Sequence, residues 1–229
     1  MPLNKAKGNN YNWITHSHNH LAGKCPHACT YCSVQDMANH YPALKAKYSG
    51  SPRLIEKEFS VNYGSGKTIF MENCNDLFAD DVPQEFIHKV LRHCKEYEEN
   101  SYVFQTKNPG RMFYVGKLRW PVNNIVGVTI ESNRDYPEIS LAPPPIKRAR
   151  SMQLIRGRKF LTIEPLLDFD VDILASWIVV INPEFVNIGA DSKKHHLPEP
   201  SAEKVNDLIR LITEAGMEVR EKANLERLK

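Results

Sequence analysis

The sequence predicts an α/β fold, a partial, open βα barrel of about six parallel strands. Three observations predict it. Short apolar or β-branched strands alternate with helical stretches about six times along the chain. Such alternation implies a parallel sheet with right-handed crossovers, and six units are too few for a closed eightfold barrel. Polar residues gather at the predicted C-terminal strand ends: Glu72, Asn73, Gln105, Thr106, Lys107, Glu131, Glu164 and Asp191. That is where parallel α/β folds bind ligands.

In order along the chain, residues 1–10 read as a polar tail and residues 11–229 as a single domain. Tyr11 to Thr15 is aromatic and β-branched and reads as a short strand. His16, His18 and His20 alternate after it, so on an extended chain they share one face, which suits either a metal or a polar loop. Val34 to Tyr48 reads as helix disturbed at Pro42. Gly64-Ser-Gly-Lys-Thr68 is rejected as a phosphate loop: Val61 stands where the first glycine belongs, and a strand, Thr68 to Glu72, follows instead of a helix. Asp80 or Asp81 is expected to cap a helix with Pro83 in its first turn and with Ile87, Val90, Leu91 and Cys94 as one apolar stripe.

Tyr102 to Thr106 is the next strand, followed by a short helix near Arg111 to Gly116. Asn124 to Ile130 is a strand ending at Glu131. Three prolines at 143–145 make a stiff connector before a helix from about Ile146 to Ile155. Lys159 to Ile163 is a strand, Val171 to Ile181 a helix and Phe185 to Ile188 a strand. Ser201 caps a last helix with Val205, Leu208, Ile209 and Ile212 on one face, Gly216 stops it, and Met217 to Arg220 is the final strand.

The composition is that of a soluble globular protein: 229 residues, 25% charged and 41% hydrophobic. No apolar run approaches the roughly 20 residues of a membrane span, and no signal-peptide core precedes the domain. Five cysteines, three of them clustered, argue for a reducing compartment, read as the cytoplasm. Net charge is +3 and the isoelectric point is near 8.5. Lys147, Arg148, Arg150, Arg156, Arg158 and Lys159 form an acid-free run that suits phosphate or nucleic acid, or else a solvated helix face and a strand entry.

The chemistry centres on Cys25, Cys29 and Cys32, spaced C-x3-C-x2-C. Three thiols this close cannot all pair, and thiolate sulfur selects zinc, copper(I) or iron–sulfur clusters. Three ligands also leave a position open, as a reactive site requires. With Tyr31 in the aromatic slot, C-x3-C-x-aromatic-C resembles the cluster loop of the radical S-adenosylmethionine superfamily. The resemblance implies a [4Fe–4S] cluster on the three cysteines, with S-adenosylmethionine on the fourth iron. It also implies reductive cleavage to a 5′-deoxyadenosyl radical, hydrogen-atom abstraction from substrate, and an electron donor such as flavodoxin or ferredoxin.

Further stretches are similar to the phage Gp37/Gp68-like (DUF5131) subgroup. These are Asn-Trp-Ile-Thr before the loop, Asn-Asp-Leu-Phe-Ala-Asp-Asp-Val-Pro from 75, Gln-Thr-Lys-Asn-Pro from 105, Gly-Val-Thr-Ile-Glu-Ser from 127 and Leu-Thr-Ile-Glu-Pro-Leu-Leu from 161. The subgroup runs more directly into its cysteines, so residues 16–24 are an insertion. By this resemblance Glu72 and Asn73 are expected to accept from the cofactor's amino group. Gln105, Lys107 and Glu131 would meet its ribose, Lys107 its carboxylate, and Glu164 its adenine side or substrate. Cys74, directly after these, is expected to return a hydrogen atom to a product radical, or else to be a small buried hydrophobe.

The substrate expectation is a nucleic-acid base or nucleotide, with a peptide or small metabolite as the alternative substrates. The alternatives are a non-catalytic zinc-binding nucleic-acid module on the same cysteines plus a histidine, and an iron–sulfur electron-transfer protein. For the latter a fourth cysteine is usual.

Overall fold

The computed structural model describes residues 3–7, 10–115 and 117–229. The chain forms two compact units, each continuous in space but not in sequence.

The first unit takes Met1–His27, Cys32–Thr106 and Arg111–Val126. Its elements are β1 (Asn4–Lys5), β2 (His16–His18), β3 (Leu21–Ala22), α1 (Ser33–His40), α2 (Pro42–Lys47), β4 (Arg53–Leu54), β5 (Thr68–Met71), α3 (Gln84–Lys95) and β6 (Ser101–Thr106), and it holds the first residues of β7 (Asn124–Thr129). The strands order as β1-β2-β5-β6-β7, while β3 and β4 pair separately. β2–β5 and β5–β6 are parallel, with Met71 opposite both His18 and Phe104. β1 pairs antiparallel with β2, so the stretch expected as a polar tail supplies an edge strand.

Two boundaries differ from expectation. The first parallel strand is His16–His18, not Tyr11–Thr15. Pro42 divides the expected single helix by standing at the first position of α2, where its missing N–H leaves no orphan. Pro83 sits at the N-cap of α3 itself, without a side-chain cap from Asp80 or Asp81. The apolar stripe of α3 is observed: Ile87, Val90, Leu91 and Cys94 are all buried. The short helix expected near 111–116 is a 3₁₀ turn over Pro109–Phe113, and Gly116 lies outside the described residues.

The second unit takes Ala28–Tyr31, Lys107–Gly110 and Gly127–Lys229. It contains the end of β7, then α4 (Pro145–Leu154), β8 (Lys159–Ile163), α5 (Val171–Ile181), β9 (Phe185–Ile188), α6 (Ala202–Glu214) and β10 (Glu218–Glu221). Strand order is β7-β8-β9-β10, with β8–β9 and β9–β10 parallel. These are successive βαβ steps of the kind that build an open βα barrel. Gly127 sits in β7 because the Phe160 ring fills the space of its side chain: a Cβ would fall 2.2 Å from the ring. Ser201 caps α6 by accepting from the Lys204 N–H, and Val205, Leu208 and Ile212 are buried beneath it.

Most of the acid-free basic run is committed internally. Arg148 is buried on Glu131, Arg158 pairs with Glu184, and Lys159 donates to the carbonyls of Met152 and Ile155 at the end of α4. Lys147, Arg150 and Arg156 are exposed. The run is therefore mainly structural, with three cations presented to solvent. Among the described residues no helix is long and apolar enough to cross a membrane.

Candidate functional site

Cys25, Cys29 and Cys32 are half-buried, outside any disulfide, on a loop in which Ala28 adopts a left-handed φ of 44°. Each compact unit fixes its own part of that loop.

In the second unit the fixing group is Glu131, which follows β7. Tyr31 Oη donates to Glu131 Oε1 at 2.5 Å, and Lys107 Nζ donates both to Tyr31 Oη at 2.9 Å and to the same carboxylate. Arg148 Nη1 reaches Glu131 Oε2 at 2.7 Å and the Thr129 carbonyl at 2.6 Å. Burial opposes ionisation of Glu131, yet Arg148 and then Lys107 outweigh it and hold the carboxyl well below its usual range. Glu131 is thus a buried anion gripped by two cations and a phenol. This residue, expected to meet the cofactor's ribose, already accepts on Oε1 from Tyr31 and Lys107 and on Oε2 from Arg148. A small cleft is lined here by Tyr31, Glu131, Ser132, Tyr136, Ser140 and Arg148. Arg148 Nε is buried without a hydrogen-bond partner. Cys29 Sγ lies 3.2 Å from Ser140 Oγ.

In the first unit the corresponding clamp is Asp76, which sequence reasoning missed. Its Oδ2 meets His27 Nε2 at 2.8 Å, between Cys25 and Cys29 in sequence, and the Thr106 hydroxyl donates to both carboxylate oxygens. The signal was present as an acid within a polar stretch just after a strand, but nothing in the sequence points it at His27.

Glu72, expected to meet the cofactor's amino group, is held by the protein itself. It is 2% exposed, at a φ of 54°. It accepts from the backbone N–H and Nδ1 of His20 at 2.9 and 2.8 Å and from the Leu21 N–H at 2.9 Å. Burial would raise its pKa, but His20 and the two backbone donors lower it below the ordinary value. The carboxylate braces the link between β2 and β3.

Asn73 is half-buried, its Oδ1 accepting from Asn19 Nδ2 at 2.9 Å, and Asn19 Oδ1 accepts from the Cys74 N–H. Gln105 Oε1 accepts from the Tyr11 hydroxyl at 2.7 Å. Glu164, in the second unit, pairs with Lys222 at 2.8 Å. Asp191 is buried and receives the Lys193 N–H and His195 Nδ1. Cys74 is half-buried, and burial pushes its thiol above the ordinary range although the hydroxyl of Tyr48 hydrogen-bonds to it. It is a neutral S–H at physiological pH.

The three alternating histidines do not form a metal face. His20 Nε2 meets the Tyr63 hydroxyl at 3.0 Å, and His18 Nε2 meets the Glu58 carbonyl at 3.3 Å. Among the described residues, no group of three His, Cys, Asp or Glu side chains is placed to hold a metal ion. Burial, then His20, lowers the His18 pKa to about 4. The unfolded chain therefore binds a proton that the folded chain refuses between about pH 6.5 and 4, and stability falls on acidification through that window by about 3 kcal/mol. His18→Gln is expected to flatten this dependence in urea titrations from pH 7 to 4.5; an equally steep loss in the variant removes His18 as its source.

The comparisons with known proteins fall in place on this geometry. A family described as "Protein of unknown function (DUF5131)" matches residues 9–195. The chain belongs to the DUF5131 family. No curated protein matches it. Among solved structures, a variant of spore photoproduct lyase superposes with a TM-score of 0.65 at 11% identity, covering 97% of this chain and 80% of the other. Another variant, described with bound AdoMet and dinucleoside spore photoproduct, gives 0.61 at 12% identity, covering 93% of this chain. This DUF5131 chain spans 63% of that protein's length. At such identity the likeness is one of fold, and it is the open βα barrel expected from the sequence.

Proposed function

We propose that this DUF5131 protein is a radical S-adenosylmethionine enzyme acting on a nucleic-acid base or nucleotide. The observation that carries the reading is the C-x3-C-x-Tyr-C loop on this fold, with Tyr31 tied to a buried anion and His27 to Asp76. The donor set fits an iron–sulfur cluster: three half-buried thiols without a hard ligand among them. A four-iron cluster takes one thiolate per iron, so its ligands stand farther apart than those of a single ion.

When bound at Cys25, Cys29 and Cys32, a [4Fe–4S] cluster would supply the electron that cleaves S-adenosylmethionine to a 5′-deoxyadenosyl radical. The chain's own residues then have distinct tasks. Tyr31, Lys107, Glu131 and Arg148 fix one side of the loop, and His27, Asp76 and Thr106 fix the other. Asn73 and Gln105 present amides to the cofactor's polar groups, and Glu164, held by Lys222, meets the adenine side or the substrate. Cys74 keeps its hydrogen as a neutral thiol, able to return it to a product radical. The nucleic-acid class is supported by the exposed Arg156 and by the dinucleoside in the lyase of like fold. A one-electron donor of the flavodoxin or ferredoxin type and a cytoplasmic setting complete the proposal.

Anaerobic reconstitution with iron and sulfide, reduction with S-adenosylmethionine and mass spectrometry for 5′-deoxyadenosine test it. A brown protein that forms deoxyadenosine, and a Cys25→Ala/Cys29→Ala/Cys32→Ala variant that does neither, is the expected result. A colourless protein that loads zinc in place of iron overturns it. Once a substrate is found, Cys74→Ser is expected to shift products toward radical side reactions; an unchanged distribution removes the donor role.

A further inference from the structure

In the second unit α5 packs between α4 on one side and α6 on the other. Its buried face, Leu174, Ala175, Ile178 and Ile181, is what a barrel helix requires. Its outer face is not: Ile173 and Val180 are 45% and 61% exposed, Val179 is exposed beside them, and Trp177 is half-buried. Leu154 at the end of α4 adds a side chain 68% exposed. Single exposed apolar residues are ordinary, but a contiguous set on one helix marks an interaction surface.

The flanks carry opposite charge. On α4 the exposed charges are Lys147 and Arg150, with no acid on the helix; Arg148 is consumed by Glu131. On α6 Glu203, Asp207 and Glu214 outnumber Arg210, which pairs with the last two, while Lys204 is taken by Asp168. An apolar ridge between a basic and an acidic flank complements itself. We propose that this three-helix face is the interface between two copies of the chain, related by a two-fold axis parallel to α5. Only that axis lays the α4 flank of one copy on the α6 flank of the other; an axis across α5 sets α4 on α4 and brings like charges together. Three helices of 10, 11 and 13 residues, with a 1.5 Å rise and set about 10 Å apart, bury roughly 1,000 Å² in total. That is at the lower edge of stable interfaces, so the dimer is expected to be weak and reversible. Asp172, exposed in the first turn of α5, is the one charge that meets its own copy near the axis.

Sedimentation equilibrium of the full chain over a micromolar concentration range tests this. The wild type is expected to associate to a dimer. Val180→Glu, at an exposed position that folding does not use, is expected to weaken association about tenfold or more. Asp172→Asn is expected to tighten it. Lys147→Glu/Arg150→Glu weakens it, and adding Glu203→Lys/Glu214→Lys in the same chain restores it, because both flanks are then reversed. A chain that stays monomeric throughout overturns the proposal and leaves the face to a different partner. A dimer indifferent to Val180→Glu, or one that the double reversal does not rescue, overturns the interface or its axis.

Discussion

Glu131→Ala is expected to destabilise the fold by about 3–5 kcal/mol, the usual cost of leaving a buried partner charge unpaired. The reason lies in what surrounds it. Arg148 is buried, and its guanidinium reaches only the Thr129 carbonyl once the carboxylate is gone. Lys107 loses its anion as well. Folded domains are stable by about 5–15 kcal/mol, so a third or more of that margin is at stake. The urea midpoint should fall accordingly with no cofactor present. Removing both charges by Glu131→Met/Arg148→Met is expected to recover part of the loss, because the buried guanidinium is no longer stranded and only Lys107 still lacks its anion. Equal losses in the single and double variants would show that the site depends on the carboxylate for something other than charge balance. The sign with pH follows from the depressed pKa. The stability that Glu131 contributes is fully present above the unfolded carboxyl pKa, about 4.5, and is lost only as pH falls through its lower folded value.

The sequence announced the parts of this architecture that rest on local pattern. β8 begins and ends at Lys159 and Ile163, where the alternation said it would, and α5 spans Val171–Ile181 as read. The three cysteines declare themselves by spacing. What was not legible depends on partners far apart in the chain. β2 is a strand of His-Ser-His, with no hydrophobic signal; its buried His18 is tolerated inside because Glu58 meets its ring, just as Glu72 and Tyr63 satisfy His20 beyond the strand. Tyr11–Thr15 has the stronger strand composition and forms none. Strand-end carboxylates look alike in sequence whether they face a ligand or a cation of their own chain, and Tyr31 lies 100 residues from Glu131. For the same reason, six cations between 147 and 159 read as a patch until Arg148, Arg158 and Lys159 turned inward.

Glu72 decides between these two meanings of a strand-end carboxylate. Glu72→Ala is expected to destabilise the first unit by about 4 kcal/mol, because three buried donors on His20 and Leu21 lose their acceptor at once. The same three bonds hold residue 72 in the left-handed region, which a non-glycine residue occupies at an energetic cost. Glu72→Gln keeps one acceptor oxygen but turns an amide NH₂ toward a donor, so an intermediate loss is expected. These losses appear in urea unfolding of the cofactor-free protein. A cofactor ligand behaves in the opposite way: cofactor-free stability is untouched or improved, and only binding of S-adenosylmethionine to the reconstituted protein weakens. Asn73, one residue on and half-buried, provides the control. Asn73→Ala is expected to change stability little and cofactor affinity more. If Glu72→Gln proved as stable as wild type while losing cofactor affinity, Glu72 would return to the cofactor's amino group, and the brace on β2 and β3 would have to lie elsewhere.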